Sequence, residues 1–183
     1  MKTFLEIGCA DFDTLLPLAR KGGWCGFCVE PMPHHARTLR ERSADLPVSV
    51  VEAAISDFDG QIQMAVGGNA DWATGASHVI SPNHQGFKLL DLEVNRDLRL
   101  GEIEVSAMRL DTLLDQYGID HIDYCKIDVE GHELNVLQTY SWRVKPGVLK
   151  IEHKHLPGGS LAKILTPQGY TIFPENEDIY AIL

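Results

Sequence analysis

The sequence holds no run of about 18 apolar residues, so no helix in it is expected to cross a membrane. Its first residues, Met1 to Leu5, lead straight into a strand pattern, with no basic leader, apolar stretch and small-residue cleavage site. No export signal is expected, and the reading is a soluble, cytoplasmic protein. Positive charge is scarce as well: 16 Lys and Arg face 26 Asp and Glu, a formal net charge of -10. Without a basic face to follow a phosphate backbone, nucleic acid is not expected as a partner. Cysteine is limited to Cys9, Cys25, Cys28 and Cys125. Cys25-x-x-Cys28 has redox or zinc spacing, but the pair leads into a strand instead of standing at a helix start, where the dipole lowers a thiol pKa. No second Cys pair or nearby Cys/His set completes a zinc tetrahedron, so buried reduced thiols are expected. Internal repeats and low-complexity segments are absent too.

What is present reads as one α/β domain. A chain of 183 residues can bury about 70% of its unfolded surface in a single core. Phe4 to Gly8 is a short apolar run ended by glycine, followed by a helical pattern on Leu15, Leu16, Leu18 and Ala19, which Asp11 or Asp13 can cap. Gly26 to Glu30 is a second strand, Pro31 and Pro33 force a turn, and His35 to Arg42 is helical. Val48 to Ile55 reads as a third strand, rich in β-branched residues. Gln61 to Val66 and Glu102 to Ala107 alternate with period two and can pair as an antiparallel flap. Between them, Gly67 to Gly101 is too long for a plain connector and is read as a lid, within an insertion spanning about residues 61–107, with Ser77, His78 and Asn83 near the site. Leu110 to Tyr117 is a helix closed by Gly118, Glu133 to Tyr140 another, Val148 to Glu152 a strand and Ser160 to Leu165 a last helix. Tyr170 to Phe173 and Ile179 to Leu183 are linked too closely to be parallel, and so form a hairpin.

Chemistry concentrates in Tyr124 to Glu133. There Cys125, Ile127 and Val129 alternate with Lys126 and Asp128, and the strand then stops in Glu130, Gly131, His132 and Glu133. Ligands of open α/β sheets sit outside the carboxyl ends of the strands, where these groups are placed. Glu152, His153, Lys154 and His155 make a second such edge. Gly8 lets the backbone approach a ligand, with small Cys9 and Ala10 beside it. Glu30 follows about 20 residues later, where an acid hydrogen-bonds ribose hydroxyls. Together these point to an adenosine-type cofactor.

Five stretches carry a family resemblance: F-L-E-I-G at Phe4 to Gly8, V-E-P at Val29 to Pro31, A-A-I-S-D-F-D-G at Ala53 to Gly60, R-L-D-T-L at Arg109 to Leu113 and K-I-D-V-E-G-H-E at Lys126 to Glu133. The chain resembles the FkbM-type S-adenosylmethionine-dependent methyltransferases. The resemblance implies a single-domain class I methyltransferase fold, a Rossmann-like open sheet that is mostly parallel with a reversed C-terminal strand. It implies methyl transfer from S-adenosyl-L-methionine to a hydroxyl of a sugar, glycan or small natural product. Glu6, Gly8, Cys9, Ala10 and Asp11 would surround the methionine part, Glu30 and Pro31 would hold the ribose, and Ala54 would line the adenine. Asp128 and Glu130 would face the methyl group, and the candidates for a general base are His132, Asp128, Glu130, His153 and His78. The chain departs from the family where further glycines would follow Gly8, and, read from its first strand, it is expected to be without the N-terminal helices that often cover the site. That leaves the pocket open or closed by a second subunit of a homo-oligomer.

The remaining charged residues have plainer expectations. His132 is either the base or a solvent-exposed residue at a helix start, His153 and His155 are exposed loop residues, and Glu133 is a first-turn acid facing the helix dipole. Lys126 and Lys150 pack their stems while their charges reach out or pair. Asp128, Glu130, His132, Glu152 and His153 have metal-ligand chemistry, but a sulfonium is itself a cation, and no metal is expected. Two rivals remain: a nicotinamide-dependent oxidoreductase, disfavoured because G-x-G-x-x-G is missing, and a non-catalytic module that binds an adenosine ligand.

Overall fold

A computed structural model describes residues 1–10, 14–67, 77–80 and 99–183. Strand β1 (Lys2–Ile7) leads through helix α1 (Leu16–Arg20) to β2 (Trp24–Val29), and α2 (Pro33–Arg42) leads to β3 (Val48–Val51). Then come β4 (Ala54–Ser56), β5 (Gly60–Gly67), β6 (His78–Val79) and β7 (Arg99–Arg109). The rest is α3 (Leu110–Tyr117), β8 (Tyr124–Ile127), α4 (Glu133–Gln138), β9 (Val148–Glu152), α5 (Ser160–Leu165), a 3-10 turn (Thr166–Gln168), β10 (Thr171–Glu175) and β11 (Asp178–Ile182).

The main sheet runs β10-β11-β9-β8-β1-β2-β3. β3, β2, β1, β8 and β9 are parallel, and β11 is antiparallel to both β9 and β10. This is the class I methyltransferase order with its reversed last strand. Starting from β1, the chain builds outward to β2 and β3, then returns to lay β8 and β9 on the other side. The β1/β8 junction is therefore the topological switch point, where such sheets take ligands. From Phe4 to Ile7, β1 is buried on both faces, as a central parallel strand must be. One face packs Leu16, Ala19 and Leu39 of α1 and α2, and the other packs Leu113, Leu137 and Leu161 of α3, α4 and α5. No helix among the described residues is long and apolar enough to cross a membrane.

The span Val48 to Ile55 is not one strand. β3 is the edge of the main sheet, and its last residue, Val51, accepts the Glu30 N–H at 2.9 Å. Its partner β2 ends at Val29, so the chain beyond has nothing to pair with in that sheet. β4 joins a second sheet instead, ordered β4-β7-β5-β6, parallel to β7. The antiparallel pairing of β5 with β7 matches the flap read from the sequence. Most of the proposed lid, Asn83 included, lies outside the described residues. α2 begins at Pro33, two residues before the expected start, because proline is tolerated in a first helical turn. α4 ends at Gln138, short of Tyr140.

Candidate functional site

The end of β1 is fastened on both sides. Gly8 donates its N–H to Val29 O at 2.9 Å, and Asp128 donates to Ile7 O at 2.9 Å. Gly8 has φ +78, and a Cβ there would stand 1.7 Å from the Asp128 carbonyl oxygen. Glycine is thus needed for β1 and β8 to run this close together at their carboxyl ends. The bend that follows is held by buried acids. Glu30 accepts from the Ala10 and Met32 N–H groups, each at 2.8 Å, and Glu6 accepts from the Leu15 N–H at 3.0 Å. Burial raises both pKa values, and those backbone donors oppose the rise. Cys9 is buried, its thiol donating to Glu6 O at 3.3 Å and Val29 O at 3.6 Å. Pro31 is half-buried after Glu30. Ala54 is buried on β4, in a cluster with Met32, Ile62 and Met64. Asp11 lies outside the described residues. The described cysteines are free thiols, all buried except the half-buried Cys25.

Beyond β8 the chemistry changes. Lys126 is buried, with Nζ 3.1 Å from Asp128 Oδ2 and 3.7 Å from Glu6 Oε1. Burial opposes its charge, but the two acids outweigh that and hold its pKa above the ordinary lysine value. Glu130 stands in the left-handed region at φ 54, and Gly131 follows at φ 92. These two turn the chain sharply at the strand edge. Burial first, then the charges of Asp128 and Glu133, push the Glu130 carboxyl up to about 8.

His132 is buried, not exposed. Its Nε2 lies 2.9 Å from Ser56 Oγ, and Ser56 gives its hydroxyl proton to Asp57 Oδ1 at 3.0 Å. A hydroxyl has one proton, so His132 must donate from Nε2, which fixes its tautomer and ties the second sheet to the central edge. Glu133 is also no ordinary first-turn acid. It is buried, and its Oε1 accepts from the Val129 and Gly131 N–H groups at 2.9 and 3.3 Å. It braces the turn that presents Glu130. The spacing of Glu133 from Val129 gave no signal for this.

The β9 edge completes the site. Burial first, then Asp128 and Glu130, push Glu152 up to about 8. Its Oε2 is buried without a hydrogen-bond partner among the described residues. His155, expected to be exposed, is buried, with Nε2 3.7 Å from Glu130 Oε2. His153 is half-buried and donates its N–H to Glu177 O at 2.8 Å, and Lys154 pairs with Glu177 at the surface. Lys150 pairs with Asp178 on the neighbouring strand. His78 is buried on β6 of the second sheet. Sequence reasoning placed Glu152 at the edge but missed His155, because a parallel register does not show how the loop after β9 folds back.

Comparison with known proteins agrees with this architecture. A family model described as the methyltransferase FkbM domain matches residues 6–183. The 2-O-methyltransferase NoeI of Sinorhizobium fredii (strain NBRC 101917 / NGR234) is 32% identical over 145 residues, 73% of this chain and 55% of NoeI. The chain thus spans about half the length of that relative. Among solved structures, the METTL16 MTase domain superposes with a TM-score of 0.47 at 16% identity, over 99% of this chain and 58% of that one. The precorrin-6y C5,15-methyltransferase from Geobacter metallireducens GS-15 gives 0.46 at 12% identity, over 99% and 78%. Likeness at that level decides nothing alone, and the fold rests on the strand order and the family match. The chain belongs to the FkbM methyltransferase family, whose cofactor is S-adenosylmethionine.

Proposed function

We propose that this chain transfers the methyl group of S-adenosylmethionine to a hydroxyl oxygen of a sugar, glycan or small natural product. The observation that carries the reading is the convergence of Asp128, Glu130 and Glu152 at the ends of two adjacent strands beside the switch point. Two of the three are pushed up to about 8 by burial first and then by the charge of Asp128. A site so rich in half-buried carboxylate is complementary to a cation, and the residues fit a sulfonium. NoeI, named for 2-O-methylation, supports oxygen as the atom modified.

Bound there, S-adenosylmethionine supplies a methyl group already attached to a good leaving group. The protein's residues then have four tasks. Glu30 already holds Ala10 and Met32, and its oxygens keep lone pairs for ribose hydroxyls. Gly8, Cys9 and Ala10 shape the turn against which the methionine part would lie, with Glu6 bracing it from beneath, and Pro31 and Ala54 are assigned to the adenosine side. Asp128, steadied by Lys126, faces the reacting centre. Glu130, with a pKa near the working pH, is matched to receiving the hydroxyl proton, since general bases work best when poised there. His132, with Nε2 committed to Ser56, acts as base only through Nδ1.

The test is transfer of labelled methyl to a panel of sugars and glycans, with Asp128→Asn beside the parent protein. The substitution keeps the shape and removes the charge. Transfer should fall at least about tenfold, roughly 1.4 kcal/mol in the barrier, while the thermal midpoint holds. A lowered midpoint with activity that only follows the folded fraction would remove this edge from the reaction. Calorimetry with S-adenosylhomocysteine tests the cofactor side, where Glu30→Ala should weaken binding by roughly 1 to 3 kcal/mol. Wild-type affinity in that folded variant would contradict the assignment at β2.

A further inference from the structure

Glu130, Glu152 and His155 come from two strand edges, and each brings one ligand atom into a group whose atoms all lie within 4.8 Å of one another. His155 was expected to be an exposed loop residue of the second edge, and the expectation of no metal was formed without its burial beside Glu130. Two carboxylate oxygens and one imidazole nitrogen are a donor set for divalent cations at the harder end of the first transition row. The charges agree, since two glutamates neutralise one dication.

The spacing agrees as well. Two ligands held at about 2.1 Å on one ion stand about 3.0 Å apart at an octahedral edge and about 3.4 Å at a tetrahedral one. His155 Nε2 and Glu130 Oε2 are 3.7 Å apart, which is long for a hydrogen bond and close to that separation. Independently, Glu152 Oε2 is buried and has no hydrogen-bond partner among the described residues, as a donor atom awaiting an ion would be. His155 closes the inner side, while the partly exposed glutamates leave a way in from the crevice.

We propose that Glu130, Glu152 and His155 form a binding site for a divalent cation of the Mn2+ type, placed to hold the oxygen of the acceptor hydroxyl. The site shares Glu130 and Glu152 with the reaction proposed above, but cation binding is measurable without it, and only the orienting role rests on that reading. The cation, with coordination positions left open, would draw the acceptor oxygen to the edge and lower its pKa; with Glu130 then bound to the cation, the neighbouring Asp128 carboxylate, in place of Glu130, would receive the hydroxyl proton.

The experiment is titration of the full chain with Mn2+, following the free-ion signal by electron paramagnetic resonance. A single site is expected, weakened at least about tenfold by Glu152→Gln and by His155→Gln, and unchanged by Glu41→Gln on the exposed face of α2. Circular dichroism and the thermal midpoint establish that each variant is folded. If His155→Gln does not fold, Glu130→Gln with Glu152→Gln decides the matter. No Mn2+ binding by the parent chain, or binding indifferent to these substitutions, overturns the site. For the orienting role, chelation should reduce methyl transfer at least about tenfold and added Mn2+ should restore it. Transfer unaffected by chelation overturns that role. Failure to find any methyl transfer counts against the reaction, while the Mn2+ titration still decides the site.

Discussion

Two carboxylate-bearing edges meet at the switch point, and they are built on opposite principles. On the β1/β2 side, Glu6 and Glu30 are buried acids given backbone N–H partners, three between them, which hold the turn after β1 in one shape. On the β8/β9 side, Glu130 and Glu152 are half-buried acids set beside other acids, and both are pushed up to about 8. The first edge has its backbone donors, and its one oxygen without a hydrogen bond among the described residues, Glu6 Oε1, lies 3.7 Å from the Lys126 ammonium. The second carries an electrostatic cost that a bound cation would relieve, whether a sulfonium or a metal ion. An acid held by backbone donors reads as architecture, and acids set against one another read as a site waiting for a cation.

The largest effect should come from joining the two edges wrongly. Gly8→Ala puts a Cβ 1.7 Å from the Asp128 carbonyl oxygen, in a backbone conformation that alanine already disfavours. Stability should fall by several kcal/mol, on the order of 3 to 5, with loss of cofactor binding. Gly22→Ala is the control: φ is +81, but nothing lies within 4 Å, so only the conformational cost of about 1 to 2 kcal/mol applies. Equal losses in denaturant unfolding would mean that the close approach of β1 to β8 is unimportant.

Next, the same chemical change should have opposite signs on the two sides. In Glu30→Gln, one oxygen becomes an amide that must face either the Ala10 or the Met32 N–H, donor against donor, at a cost of roughly 1 to 3 kcal/mol. Glu130→Gln replaces a carboxyl that burial and its acidic neighbours already push toward the neutral form, so stability should hold or rise. Two losses of equal size would erase the distinction between the edges.

A smaller effect appears on titration, which the raised carboxyls of both edges drive in one direction. The folded-state pKa of Glu133 is raised to about 8, chiefly by burial, from an ordinary 4.5. Between those values the folded state binds more protons than the unfolded chain, so stability is present at low pH and lost as pH rises through the window. Glu130 and Glu152 act in the same direction. Glu133→Gln should make the fall in thermal midpoint between pH 5 and pH 8 shallower. An unchanged slope would mean that Glu133 is already ionised in the fold.

The contrast between the edges also separates what the sequence shows from what it hides. The strand-turn-helix at Phe4 to Ala19, the charged stop after Ile127 and the terminal hairpin were legible because period, glycine and charge are local signals. The split between Val51 and Ala54 was not, since it depends on which sheet still has a free edge. Nor was the burial of His132 and His155. A histidine beside acids at a strand end looks the same in sequence whether it faces water, Ser56 or Glu130, and the loop path alone decides.

The smallest effect tests whether acidity alone is enough. Glu52 lies at the break between β3 and β4, 2.8 Å from Arg40, and both side chains are more than a third exposed. It belongs to the same acidic surplus as Glu130, but water solvates it, and its ion pair is of the kind that contributes about 0 to 1 kcal/mol. Glu52→Gln should shift stability by less than about 0.5 kcal/mol and leave binding of both Mn2+ and S-adenosylhomocysteine as in the parent. If it weakened either ligand as much as Glu152→Gln does, the net charge of the chain would be attracting cations at long range, an effect that 0.5 M salt should abolish. If only Glu152→Gln does so, and salt leaves its effect in place, burial without donors is what makes the β8/β9 edge a site.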